Sequence, residues 1–395
     1  MAKPKLRFPE FTGEWEKTIL EKKVHIYDGT HQTPKYVSKG VKFVSVENIH
    51  DIYNTDKFIS EEAYDKYKIK PQKDDILMTR IAGIIGDTAM VSKNEPLAYY
   101  VSLALIRKKE NINTVFLAYN INSNGFKHEL HRRIIHVAFP KKINLGDIGK
   151  CEITFPKEKE QQKIADFLSS IDDIIKVQEE EISVFEEQKK GIMQKLFNRE
   201  VRFKADDESE YPEWKEKKLF NIGAIITGTT PSTKNEKYYS DKYLWVTPAD
   251  IEGKEISNSQ KKLSEDGLKK GRIIPANSVL VTCIASIGKN AILREMGSCN
   301  QQINAITPNN EYNVDFLYYL LCFNENMLHA NAGRGGMEIL NKDQFSKLSM
   351  LFPCIEEQKK IADCLTAYDE VTQIKKGKLE TWKEIKKGLL QQMFV

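Results

Sequence analysis

The chain of 395 residues carries 60 lysine and arginine against 56 aspartate and glutamate residues, a net charge of +4, with 41% hydrophobic and 29% charged residues. That length predicts two or three domains with room for real cores, and so small a net charge requires any nucleic-acid surface to be local. No run approaches the roughly 18 apolar residues of a membrane span, and the opening MAKPKLRFPEF lacks the apolar core of a signal peptide, so a cytoplasmic protein without a membrane partner is expected.

The first half opens with Leu6-Arg7-Phe8-Pro9 and reaches Trp15. Short β-branched blocks follow, Ile26 to Pro34, Lys42 to Ile49 and Asp75 to Gly86, each bounded by glycine or polar residues as strands joined by turns are. Phe116-Leu117-Ala118-Tyr119 begins an apolar run of helical spacing. Then comes a proline-free amphipathic stretch, Glu160 to Phe197. In it Ile164, Leu168, Ile171, Ile175, Gln178, Ile182, Phe185, Lys189, Ile192 and Leu196 recur in steps of four and three, the spacing of a coiled-coil seam.

The acidic stretch Ala205 to Pro212 is the best linker, and beyond it the pattern starts again. Val201-Arg202-Phe203 and Trp214 repeat the opening. Ile225 to Pro231, Leu244 to Ile251 and Ser278 to Gly288 face the three strand blocks, and Phe316-Leu317-Tyr318-Tyr319 faces the helical run. Glu357 to Phe394 repeats the long stretch without a gap, with Ile361, Leu365, Tyr368, Thr372, Lys375, Leu379, Trp382, Lys386, Leu389 and Met393 on its seam. A helix of this length extends for roughly 55 Å and requires a partner along it; the other copy is the nearest one. The seam breaks at equivalent places, Gln178 with Lys375 and Lys189 with Lys386, where polar residues would fix register.

The expected fold is therefore mixed α/β: a globule over 1–155, a long helix over 156–200, a second globule over 201–352 and a second long helix over 353–395. The helices are expected to pair antiparallel about an internal pseudo-twofold. Cys151, Cys283, Cys299, Cys322, Cys354 and Cys364 include no CxxC pair, which predicts reduced thiols instead of a disulfide framework.

Catalytic motifs are missing. There is no Asn-Pro-Pro-Tyr type methyltransferase string, Asn94-Glu95-Pro96 being the nearest approach, and no GxxxxGK[ST] loop. Glu10 with Glu21-Lys22-Lys23 could suggest a magnesium-dependent nuclease, but the second half has no counterpart. His128 and His131 lack a further ligand, so no catalytic or metal residue is assigned.

The chain resembles the specificity subunit of Type I restriction-modification systems. The resemblance rests on the alternation of two divergent domains with two repeated helices, on Pro156 to Leu168, on Glu357-Gln358-Lys359-Lys360-Ile361-Ala362, and on Gly228-Thr229-Thr230-Pro231-Ser232. It implies two target recognition domains, each reading half of a split site in double-stranded DNA, with the paired helices as spacer. It implies no cofactor of its own: two methyltransferase subunits would bring S-adenosylmethionine, and two restriction subunits would use ATP and magnesium. Because the globules diverge, the two half-sites should differ. A coiled-coil scaffold that binds proteins and not DNA is the alternative.

Turns that expose backbone N–H groups and hydroxyls suit phosphate and base edges, which selects Gly29, Thr30, Thr33, Gly228, Thr229 and Thr230. Lys35, Arg80, Arg132, Arg133, Lys234, Lys289 and Arg334 would supply charge beside them.

Overall fold

The computed structural model describes residues 3–109, 112–333 and 338–395. The mixed α/β architecture is present, in two compact units: Met1–Glu179 with Gly377–Val395, and Glu180–Lys376. Each unit is thus a globule, the first part of the long helix that follows it, and the last part of the other long helix.

Unit 1 contains strands β1 (Glu16–Ile19), β2 (Val24–Asp28), β3 (Val41–Val44), β4 (Phe58–Ile59), β5 (Ile76–Thr79), β6 (Thr88–Met90), β7 (Leu97–Tyr99), β8 (Leu103–Lys108) and β9 (Glu152–Phe155). They form an antiparallel sheet β2-β8-β5-β6, a small sheet β4-β3-β7 and the pair β1-β9. Strand β5 is buried along its whole length, which explains its unbroken apolar run. Its alternate residues serve two cores: Ile76 and Met78 pack with Phe116, Leu117 and Ile153, while Leu77 packs with Val44, Leu97 and Leu103.

Unit 2 repeats the plan with β10 (Lys215–Lys218), β11 (Gly223–Thr227), β12 (Tyr239–Ser240), β13 (Tyr243–Val246), β14 (Lys261–Leu263), β15 (Ser278–Thr282), β16 (Asn290–Leu293), β17 (Ser298–Cys299), β18 (Ile303–Pro308) and β19 (Ser349–Phe352). The sheets are β11-β18-β15-β16, β12-β14-β13-β17 and β10-β19. Val279 and Val281 face the helical side, and Leu280 faces the small sheet.

The long helices run over Glu158–Phe197 and Ile355–Met393. Each starts at the same buried clasp. Arg7 donates to both oxygens of Glu160 at 2.7 and 2.8 Å, and the Trp15 indole donates to the same carboxylate at 3.2 Å. Gln161, also buried, accepts from the backbone N–H of Asn113 at 2.9 Å and donates to the Pro156 carbonyl at 2.8 Å. Asn113 in turn caps the helix Thr114–Asn122 by accepting from Phe116 N at 2.9 Å. In unit 2 Arg202 and Trp214 hold Glu357, and Gln358 joins the Asn313 N–H to the Pro353 carbonyl.

Within unit 1 the segment Gly377–Met393 lies antiparallel to the start of the first long helix, with Lys386 on Asp172 at 2.6 Å and Lys383 on Glu179 at 3.0 Å. In unit 2 Lys189 pairs with Asp369 at 2.5 Å and Lys375 with Glu181 at 2.7 Å. Tyr119 and Tyr319 each donate to the paired aspartate at 2.7 Å, and burial pushes both phenols up, which keeps them protonated as donors. The lysines that interrupt the seam are therefore ion-paired to carboxylates on the facing helix.

The apolar seam residues divide between the units. Ile164, Leu168, Ile171 and Met393 are buried in the core of unit 1, with Ile175, Trp382 and Leu389 against it. Leu196, Ile361 and Leu365 lie in the core of unit 2 with Ile192 beside them. Ile182 and Leu379 are buried, and the rings of Phe185 and Tyr368 sit 6.4 Å apart. Near the helix starts, then, the seam face packs on the globule itself.

Glu160→Ala leaves a guanidinium and an indole N–H with no acceptor in a buried place. It should lower the unfolding free energy of unit 1 by about 3 kcal/mol in a denaturant titration; a loss below about 1 kcal/mol would show that the clasp is not a stabilising tie.

Candidate nucleic-acid interface

In unit 1 three loops meet at one end of the main sheet. The turn after β2 begins at Asp28-Gly29, and Gly29 comes so close to the next strand connection that a Cβ there would stand 2.4 Å from the Tyr100 carbonyl oxygen. The loop after β5 runs from Arg80 to Gly86 and carries Ala82 at a φ of 61°. The third loop, between the helix Asn124–His131 and Ile143, is tied to the second through Ala82 N to Lys141 O at 3.0 Å and Ile143 N to Arg80 O at 2.9 Å.

Arg80 joins all three. It is buried, donates to Asp28 Oδ1 at 2.7 and 3.2 Å, and reaches the Ile143 carbonyl at 3.4 Å. Its charge is met inside the unit. His31 faces the other Asp28 oxygen at 2.8 Å.

Unit 2 builds the same junction from neutral groups. Thr227 stands where Asp28 does and donates to Asn304 Oδ1 at 2.6 Å; Asn304 donates to Cys283 Sγ at 3.1 Å and to the Leu340 carbonyl at 3.5 Å. Cys283 occupies the Arg80 position, and burial pushes its thiol up to about 11, so it stays neutral. The loop contacts recur, with Leu340 N on Cys283 O at 2.9 Å and Ala285 N on Glu338 O at 3.2 Å. A Cβ on Gly228 would stand 2.1 Å from the Asn300 carbonyl oxygen.

The candidate residues fall into groups. Thr33, Lys35, Lys234 and Lys289 are exposed. Gly29 and Gly228 are held by backbone crowding. Thr30 Oγ1 bonds to Gln32 O at 3.3 Å, Thr230 Oγ1 bonds to Gln301 Oε1 at 2.6 Å, and the carbonyl of Thr229 accepts from the Trp245 indole at 3.1 Å. Arg132 and Arg133 both pair with Glu129; Arg132 keeps 68% of its side chain in solvent, and Arg133 also reaches the Lys150 carbonyl at 3.3 Å. Arg334 lies outside the described residues.

Two features of this surface have no signal in hydrophobic periodicity. One is the polar run Asn300-Gln301-Gln302 beside the Thr229-Thr230 turn, where amide side chains suited to adenine edges stand. The other is the apolar tip of the third loop in unit 1, where Val137 is 97% and Phe139 104% exposed. An acidic-free stretch flanked by lysine and arginine was the only trace of it in the sequence.

The two units share one sheet plan and carry different side chains at the junction of three loops. The chain belongs to the Type I restriction modification DNA specificity domain family, whose model matches residues 22–186 and 211–384. Among curated relatives, the Type I restriction enzyme MjaIX specificity subunit of Methanocaldococcus jannaschii is 31% identical over 208 residues, 50% of this chain and 48% of that protein. The putative type I restriction enzyme MjaX specificity subunit of the same organism is 27% identical over 322 residues, 78% of this chain and 73% of that protein. The chain spans about half the length of the first relative. In fold it is similar to the Type I restriction-modification system S subunit from M. genitalium, with a TM-score of 0.61 at 16% identity covering 100% of this chain and 99% of that one.

Arg80→Ala removes the group that joins the three loops of unit 1 and leaves Asp28 with only His31 and the Gly29 N–H. It should cost about 2 kcal/mol of unfolding free energy, whereas Arg132→Ala, mostly in solvent, should stay within about 0.5 kcal/mol. Equal denaturation midpoints for the two variants would contradict the assignment of Arg80 as the structural tie.

Proposed function

We propose that this chain is the DNA-reading specificity subunit of a Type I restriction-modification complex in the cytoplasm, non-catalytic itself, with each unit reading one half of a split target in double-stranded DNA. The observation that carries this reading is the junction of three loops, tied by corresponding backbone hydrogen bonds and by different side chains in the two units. Because the readers differ, the half-sites differ, and the target is asymmetric. Helices of 40 and 39 residues, extending about 60 Å each, would set a fixed gap between the halves.

The partners in this reading are two methyltransferase subunits, which bind S-adenosylmethionine, and through them two restriction subunits that use ATP and magnesium. Each unit offers a place for one. Ile174 and Val177 in unit 1 are 37% and 49% exposed, and Val371 and Ile374, at the corresponding positions in unit 2, are 37% and 60% exposed. Apolar pairs left in water on a long helix suit a partner helix laid along them.

A base-resolution methylation map of DNA from cells carrying this chain and its methyltransferase partner, against cells lacking the chain, tests the reading. A new split, asymmetric motif with one gap length is expected. Absence of a motif with an otherwise active methyltransferase, together with DNA binding that shows no decline as salt rises, would favour a protein-binding scaffold. For recruitment, Val177→Asp with Ile374→Asp should fold normally and lose the methyltransferase on a sizing column; undiminished co-elution would place the docking surface elsewhere.

A further inference from the structure

The tip of the third loop in unit 1 places large apolar side chains in water with no neighbour to cover them. Val137 and Phe139 are 97% and 104% exposed, and Ile84, on the second loop, is 67% exposed. The tip stands on a firm base, since Ile135 N donates to Lys142 O at 2.8 Å and Ala82 N to Lys141 O at 3.0 Å. Between Glu129 and Asp147 the sequence contains no acidic residue and includes Arg132, Arg133, Lys141 and Lys142 with two histidines. Lys141, Lys142 and Arg132 are exposed around the apolar tip.

Exposed apolar side chains mark an interaction site, and the collar of cations selects the occupant. Of the surfaces that meet both an apolar tip and a cationic collar, the duplex is the one that the proposed function brings to this end of unit 1, and it offers phosphates to the collar and a base stack to the tip at once. We propose that the Val137–Phe139 tip enters a groove of the bound duplex and that Phe139 wedges into a base step, unstacking it beside the half-site read by unit 1. This rests on the DNA-reading function proposed above and adds a distortion to it. In unit 2 the corresponding loop has the sequence Gly333-Arg334-Gly335-Gly336, without an aromatic residue. The distortion is therefore confined to one half of the target.

The test uses the complex of this chain with its methyltransferase subunits, and a duplex carrying the mapped motif with 2-aminopurine at successive adenine positions. Wild type should brighten the probe at one position near the half-site of unit 1. Phe139→Ala should abolish that signal and weaken binding about ten-fold at fixed salt, the scale of one lost stacking contact. Phe139→Trp should keep both, binding within about three-fold of wild type. Brightening at an adenine flipped out for methylation should persist in all variants and serves as the internal control. Because the side chain lies in solvent, the melting temperature should not change.

If Phe139→Ala binds and brightens the probe as wild type does while the motif is still methylated, the wedge is wrong and the DNA-reading function stands. If that variant loses its methyltransferase on a sizing column without DNA, the tip docks protein, which also overturns the wedge. If wild type neither binds the duplex selectively nor directs a motif, both readings fall together.

Discussion

The structure depends on one buried charge, the carboxylate that opens each long helix. A carboxylate taken out of water costs several kcal/mol unless its lone pairs are met, and Glu160 and Glu357 are 2% and 0% exposed. Arg7 and Trp15 in one unit, and Arg202 and Trp214 in the other, meet that requirement. The arginine comes from the segment before the first strand, and the adjoining glutamine holds the N–H of the residue that caps the next helix. One clasp thus fixes the entry of the chain, the start of the long helix and the helix that covers the main sheet.

The second constraint follows from where each long helix ends. Met393 and Phe394 are buried in unit 1, with the Phe394 ring 5.4 Å from Phe116 and 6.3 Å from Trp15. Leu196 and Phe197 are buried in unit 2, with the Phe197 ring 5.6 Å from Phe316 and 6.3 Å from Trp214. The core of unit 1 therefore draws on two separate stretches of sequence, whereas unit 2 is one continuous stretch. Contacts so distant in sequence give unit 1 a higher contact order than unit 2.

Much of this was legible in the sequence. The repeat, the two long helices and the strand blocks are carried by apolar spacing, which a sheet or helix buried on one face imposes directly. Less legible was what the polar residues do. Glu160 and Gln161 carry no burial signal, because periodicity counts them only as not apolar. Lys189 and Lys386 read as seam interruptions because their partners, Asp369 and Asp172, lie on the other copy. Arg80 read as a surface cation beside a glycine turn; its partner Asp28 lies on a strand 52 residues earlier. The compact units divide within the long helices for the same reason: side chains distant in sequence supply half of each contact.

The junction under the loops shows how one scaffold can carry two readings. In unit 1 it is a charged pair, Asp28 with Arg80; in unit 2 it is a neutral chain, Thr227 with Asn304 and Cys283. Both satisfy the same three loops, but they do not mix. Arg80 placed over Thr227 would bury an unpaired cation at a cost of several kcal/mol, and Asp28 placed over Cys283 would lose its guanidinium partner. A change at one of these positions therefore requires a change at its partner on another strand. The exposed loop residues Lys35 and Lys234 and the Val137–Phe139 tip carry no such charged coupling. Variation is free on the exposed loops and tied in pairs just beneath them, so the two units can diverge over one shared sheet plan.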